Sequence, residues 1–173
     1  MKKVISIALA LCLCLVCFVG CGDSEYKGWG KESLVSITYR IPPTWELTND
    51  NVENTKVYTI DMPEDKPEVI IANLTKLGDD YDAESVMKTI EKENQEQLSK
   101  GAIDVRYHIE ESFTICDETV YHFYENDGIR RETYLFDGKE GIFRILVKYD
   151  PRYEFPTYTE EFQLFLDSIV IKK

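Results

Sequence analysis

The stretch that decides the fold is residues 119–149, TVYHFYENDGIRRETYLFDGKEGIFRILVKY. It holds three runs rich in β-branched and aromatic residues, Thr119 to Glu125, Ile129 to Phe136 and Gly141 to Tyr149, and the turns between them contain Asp-Gly. Asp-Gly between such runs is typical of antiparallel hairpins. Successive side chains of a strand point to opposite faces. In the last run, one face carries Phe143, Ile145, Val147 and Tyr149, and the other carries Ile142, Arg144, Leu146 and Lys148. The stretch therefore predicts three consecutive antiparallel strands with the Phe143 face in the core.

Further strands are predicted on the amino-terminal side of this stretch. Apolar residues alternate with polar ones from Leu34 to Ile41, until Pro42 and Pro43 stop the pattern and Trp45 follows as a large aromatic that caps the core. The other predicted strands are Lys56 to Met62, Glu68 to Leu77, Ile103 to Ile109 and Ser112 to Cys116.

Two helices complete the pattern. The first is predicted over Ala83 to Lys100, with Asp82 as its N-cap and Gly101 as its stop. The second has Phe162, Phe165, Leu166 and Ile169 at i, i+3, i+4 and i+7. The sequence thus predicts one α+β domain over residues 33–173, in which helices pack on an antiparallel β-sheet of about six to seven strands.

Four segments of this domain resemble the PsbP/DcrB-like family of α/β/α sandwiches. They are Tyr39-Arg40-Ile41-Pro42-Pro43-Thr44-Trp45, the Ala83 to Lys100 helix, the Phe113 to Tyr121 hairpin and the Phe162 to Ile169 helix. The resemblance spans residues 34–173. It implies a binding or assembly module, because the family includes accessory proteins of photosynthetic complexes, a nuclear-transport factor and exported lipoproteins, and has no shared catalytic set.

The start of the chain indicates export. Lys2 and Lys3 precede the uncharged run Val4 to Gly20, which is typical of a secretory signal. The run ends Phe18-Val19-Gly20-Cys21, which resembles the lipobox of bacterial lipoproteins. That resemblance implies a signal peptide over residues 1–20 and a diacylglycerol on Cys21. Residues 22–32 are polar and contain glycines without periodicity, so the lipidated cysteine and a flexible spacer are predicted over residues 21–32. An uncleaved membrane helix is the alternative, since seventeen apolar residues are at the lower limit for a bilayer span.

Either alternative attaches the domain to the outer face of the cytoplasmic membrane through its amino terminus. The net charge of −12 becomes −14 when Lys2 and Lys3 leave with the signal. Because this charge repels phosphate backbones, nucleic-acid binding is not expected. Without the signal, Cys21 and Cys116 are the remaining cysteines, so no internal disulfide is expected once Cys21 carries lipid.

Candidates for chemistry are few. His108, His122 and Cys116 would form a Cys-His pair or a metal site only if the hairpin brought them together, and the sequence has no CxxC or HxxxH spacing. Asp79, Asp80, Asp82 and Glu84 precede the first helix, where carboxylates are expected from capping, although they could also offer oxygens to a cation. We therefore predict no catalytic residues, no metal and no cofactor.

The loop DPRYEFPTY is the best binding candidate in the sequence. Its Tyr153, Phe155 and Tyr158 could line a ligand site, because tyrosine joins apolar area to a polar group. Packing of this loop against the sheet edge is the alternative. Three hypotheses for function follow: a non-catalytic accessory module for an envelope protein complex, a solute- or cation-binding lipoprotein, and a cysteine-dependent hydrolase.

Overall fold

In a computed structural model of the chain, residues 25–62, 65–74, 81–153 and 156–172 are described, with Tyr158 described by its backbone alone. The predicted signal peptide, Cys21, Asp79, Asp80 and Phe155 lie outside these residues. Two helices and antiparallel strands make up the described part, which confirms the α+β prediction. No helix in this part of the chain is long and apolar enough to cross a membrane.

The larger of two sheets has eight strands among the described residues. Its strands follow the order β3 (Trp45–Asn49), β4 (Thr55–Ile60), β5 (Glu68–Leu74), β10 (Gly141–Tyr149), β9 (Arg130–Gly138), β8 (Glu118–Asn126) and β6 (His108–Ile109), and β7 (Phe113–Ile115) also pairs with β8. All pairings are antiparallel. The three strands of residues 119–149 thus pair as predicted, and β10 lies at the centre of the sheet.

The inner face of the larger sheet carries the main core. It packs against helix α2 (Glu160–Asp167) and a three-stranded sheet of β1 (Gly30–Leu34), β2 (Ile37–Ile41) and β11 (Val170–Ile171). The aromatic side chains of this core are Tyr39, Trp45, Tyr58, Tyr134, Phe136, Phe143, Tyr149, Phe162 and Phe165. The predicted core face of β10 is buried here, and Trp45 is buried as expected for a residue that caps the core.

The outer face of the larger sheet is covered by helix α1 (Ala83–Ser99). Ala83, Met87 and Ile90 pack on Phe123, Leu135 and Ile142. As predicted, Asp82 is the N-cap, and its side chain accepts a hydrogen bond from the Ser85 N–H at 2.8 Å. The carboxylate of Asp137, near the end of β9, accepts the Ala83 N–H at 3.2 Å, so the start of α1 is held directly to the sheet.

The structure differs from the predicted strands in physically understandable ways. There are two sheets instead of one, and β1, β3 and β11 were not predicted. Strand β3 is an edge strand in which only Trp45 is buried, so its sequence has the polar character of a loop. Strand β1 begins at Gly30, inside the predicted spacer of residues 21–32, and Trp29 packs against the main core.

Candidate functional site

A groove suited to ligands lies between α1 and the outer face of β8, β9 and β10, and we call it the α1 groove. Its volume is about 480 Å³, within the range of small-molecule sites. Its apolar lining is provided by Leu74, Val86, Ile90, Tyr107, Phe123, Leu135 and Leu146. The sheet supplies the floor, and the helix supplies one wall, so the groove depends on where α1 is placed.

Two polar residues of α1 fix one end of this groove. Asn94 binds the backbone of Tyr107 twice, donating to its carbonyl at 2.6 Å and accepting its N–H at 3.3 Å. Gln97 accepts the Arg106 N–H at 3.0 Å. The segment before β6 therefore pairs with side chains of α1 instead of forming the strand predicted over residues 103–109. As a result Tyr107 is held at the groove, with its ring edge-on to Phe123 at 5.7 Å.

The charges that line the α1 groove are unevenly paired. Arg131 lies 2.6 Å from Asp127, and Lys148 lies 3.3 Å from Glu68. Arg144 contacts no carboxylate among the described residues, and its Nε is buried without a hydrogen-bond acceptor there. Burial lowers the pKa of Arg144, and no charge among the described residues opposes that effect. Buried charges are normally paired, so a guanidinium without a partner in this part of the chain is unusual beside an apolar groove.

A second polar cluster lies on the inner face of the sheet around Glu132, whose side chain is fully buried. Its carboxylate is 3.1 Å from Arg130 Nε and accepts hydrogen bonds from the hydroxyls of Tyr134 and Tyr149. His122 Nε2 is 3.3 Å away but is not aligned as a hydrogen bond, and the His122 ring stacks on Tyr134. The cluster is enclosed by the core and has a structural role.

The pKa of Glu132 follows from these neighbours. Burial alone would raise the pKa, but His122, Tyr149, Thr157 and Arg130 together outweigh burial and lower the pKa to about 2. Tyr149, which donates to this carboxylate, ends β10, and Thr157 in the following loop is buried. The burial of Thr157 supports the alternative interpretation of the loop, namely packing against the sheet.

The structure does not bring Cys116 together with either histidine. Cys116 and Asp117 form the two-residue turn between β7 and β8, both with positive φ, as in a type I′ hairpin. The Cys116 thiol donates to the Ile169 carbonyl at 3.3 Å. His122 lies four residues into β8, roughly 13 Å further along the strand, and His108 stacks on Tyr124, beyond His122. A nucleophile and its base need contact within hydrogen-bond reach, so the hypothesis of a Cys-His pair is wrong.

The remaining predicted sites are only partly described. Tyr153 is half-buried beside Arg152, whereas Phe155 and the side chain of Tyr158 lie outside the described residues, so a ligand site in this loop stays a prediction. Asp82 caps α1, and among the described residues no three His, Cys, Asp or Glu side chains could hold a metal ion. Lipidation of Cys21 also stays a prediction.

The α1 groove was not predicted from the sequence. The sequence feature that could have indicated it is the second face of β10, on which the apolar residues Ile142 and Leu146 alternate with Arg144 and Lys148. A strand with apolar residues on both faces is covered on both sides. The sequence did not show which part of that second face the helix would leave open.

Among known proteins, similarity to this chain is found in solved structures and not in sequences. No protein-family model and no curated protein matches the sequence. The solution structure of cyanobacterial PsbP (CyanoP) from Synechocystis sp. PCC 6803 is similar with a TM-score of 0.50 and 13% identity, covering 89% of this chain and 98% of that one. The chain has a PsbP-like fold. At this identity the likeness concerns the fold and not the activity.

Two further structures are similar to a lesser degree. A protein of unknown function from Pseudomonas aeruginosa, PA94, gives a TM-score of 0.49 at 12% identity and covers 84% of this chain and 98% of that one. LpqN, which is involved in cell envelope biogenesis of Mycobacterium tuberculosis, gives a TM-score of 0.47 at 13% identity and covers 84% and 86%.

Proposed function

We propose that this protein is a non-catalytic binding module of the bacterial cell envelope, anchored by a lipid on Cys21, and that it holds its ligand in the α1 groove. The observation that carries this proposal is the groove itself, where an apolar floor surrounds a guanidinium that has no partner among the described residues. Such a combination of apolar lining with a few fixed polar groups is typical of ligand sites.

Two observations support a role in binding over a role in catalysis. Cys116 is a turn residue whose thiol donates to a backbone carbonyl, far from both histidines. The perturbed acid Glu132 is enclosed in the core, where its carboxylate is held by structural donors. Neither group is placed to act on a bound molecule in the α1 groove, which lies on the other face of the sheet.

The accessory role for an envelope protein complex remains a second candidate. It rests on the sequence resemblance to the PsbP/DcrB-like family and on the predicted export signal. The two candidates differ in what enters the groove, because an accessory module would present the groove to another protein, whereas a solute-binding lipoprotein would enclose a small molecule.

Photo-crosslinking in living cells tests the proposal. A benzoylphenylalanine is placed at Thr89, which lines the groove, or at Gln95, an exposed position on the opposite side of α1. After irradiation, the intact mass of the purified protein is measured. We expect the loss of residues 1–20, the gain of a diacylglycerol on Cys21, and a small-molecule adduct at position 89 but not at position 95.

Other outcomes of that measurement are equally informative. A protein-sized adduct confined to position 89 would favour the accessory role. Equal adducts at both positions, or none at either, would contradict binding in the groove. A mass that retains residues 1–20 would contradict lipidation and favour the uncleaved membrane helix.

A further inference from the structure

We propose that the ligand of the α1 groove is a free amphipathic anion, a small molecule with an apolar chain and one carboxylate or similar acidic head, whose head binds the guanidinium of Arg144. This inference rests on the proposed function and names the chemical class that the groove selects. It is carried by the position of Arg144, by the pairing of the other charges and by the shape of the apolar lining.

The position of Arg144 makes its guanidinium available to the groove. Arg144 lies on the central strand β10, directly between Ala72 of β5 and Leu135 of β9. Both neighbours are buried and apolar, and Ala72 is too small to cover the longer side chain. The guanidinium therefore lines the groove among apolar neighbours with its Nε buried from water, and an anion there would form charge-assisted hydrogen bonds with it.

The other charges of the groove are already engaged. Glu125 pairs with Arg106 at 2.6 Å, and Glu93 is within 3.5 Å of the Gln97 amide. Arg131 and Lys148 each have a carboxylate partner of their own. Arg144 is therefore the positive charge of the groove that has no carboxylate partner among the described residues, and an incoming anion would meet its guanidinium. Glu93 is the acid of the lining that is bonded to a neutral amide and to no cation among these residues, and it lies on α1, whereas Arg144 lies on the sheet.

The apolar lining indicates what the rest of the ligand is. Phe123, Leu135 and Leu146 form the floor beside Arg144, Val86 and Ile90 form the wall, and Tyr107 closes one end. A fully polar anion such as inorganic phosphate would leave these surfaces in contact with water. A chain of several methylene groups would bury them, at about 0.8 kcal/mol for each CH₂. A free solute is favoured because the volume of the groove, about 480 Å³, is that of a small-molecule site.

The test compares three ligands that share one chain length. Octanoate, octanol and octylammonium are titrated by calorimetry into the full-length protein in nanodiscs of phosphatidylcholine, with empty nanodiscs as the blank. Octanoate is expected to bind at least tenfold more tightly than octanol, and octylammonium is expected to bind more weakly than octanol. This order follows from a charge-assisted bond to Arg144.

Variants assign the preference to one residue. Arg144→Met is expected to bind octanoate and octanol equally, and Arg144→Lys, which keeps the charge, to retain part of the preference. Arg152→Met removes a positive charge at an exposed ion pair outside the groove and is expected to bind like the wild type. If Arg152→Met lost as much of the preference for octanoate over octanol as Arg144→Met, the preference would depend on net charge, and the inference would be wrong.

The two proposals fail in different ways in this experiment. Equal binding of octanoate and octanol by the wild type would overturn the anion preference and leave the groove as a binding site. Failure of all three ligands to bind would overturn both. If Arg144→Met failed to fold, the lysine variant would still decide between loss and retention of the preference.

Discussion

Replacement of Glu132 with Gln is expected to lower the free energy of unfolding at pH 7 by about 3 to 5 kcal/mol, as is typical when one member of a buried ion pair is removed. The substitution keeps the size of the side chain but leaves Arg130 without its anion, and two tyrosine hydroxyls must donate to a weaker acceptor. Urea unfolding followed by circular dichroism measures the change. The matched control is Glu140→Gln, an exposed acid in the turn after β9, which should change the value by less than about 0.5 kcal/mol.

The loss of unfolding free energy caused by Glu132→Gln should depend on pH. The pKa of Glu132 is lowered to about 2 in the folded state, whereas an unfolded Glu has a pKa of about 4.3. A lowered pKa stabilises the folded protein above pH 4.3, by about 3 kcal/mol, and this contribution is lost as the pH falls toward 2. The gap between wild type and variant should therefore shrink by roughly half between pH 7 and pH 3. A constant gap would show that the carboxylate is not kept ionised by its neighbours.

Replacement of Trp45 with Ala is expected to cost about 3 to 5 kcal/mol, the usual range for removing a buried aromatic. Its ring centroid lies 4.9 Å from that of Phe165 and 6.2 Å from that of Phe162, so it joins the first strand of the larger sheet to α2. Its indole Nε1 also donates to Glu161 at 3.0 Å. Thermal and urea unfolding measure the effect.

Trp29→Ala is the matched control for that variant, because it removes the same side chain where it is only partly buried. Its cost should be clearly smaller. Equal losses for the two tryptophans would contradict the placement of Trp45 at the junction of the large sheet with α2. Trp45→Phe should recover most of the loss, since it restores the ring contacts and omits the hydrogen bond.

The central part of the fold could be predicted from the sequence because its signals are local. The strands β8, β9 and β10 have regular alternation, and α1 has a capping residue at Asp82. Asp127-Gly128 lies in the turn between β8 and β9, whereas Asp137-Gly138 ends β9 and the turn to β10 is Lys139-Glu140. Strands β1, β3 and β11 lack such signals. Strand β11 has two residues, and β3 buries only its first one, so tertiary pairing defines both strands.

The candidate site was harder to predict because it depends on where one helix lies across the sheet. Arg144 was assigned to the second face of β10, but alternation does not show which residues of that face α1 would cover. In the sequence of α1, Asn94 and Gln97 are polar residues on the face that carries Met87 and Ile90, and the structure explains them, since both bind the backbone at residues 106 and 107. A ligand site at Tyr153, Phe155 and Tyr158 was predicted from the aromatic composition of their loop. Composition does not show how these side chains are arranged.

The unfolding free energy of the ligand-free Arg144→Met protein tests most directly whether Arg144 is retained for binding. Arg144 is a half-buried charge that has no partner among the residues the structure describes, and such a charge does not stabilise the fold, so the variant should be as stable as the wild type or more stable. Arg130→Met is the contrasting control, because it leaves Glu132 buried without its cation and should lose about 3 to 5 kcal/mol. If the unfolding free energy of Arg144→Met were instead lower by more than about 1 kcal/mol, as expected when a hydrogen-bonded charge is removed, Arg144 would be a structural residue. The α1 groove would then lack its anion-binding group.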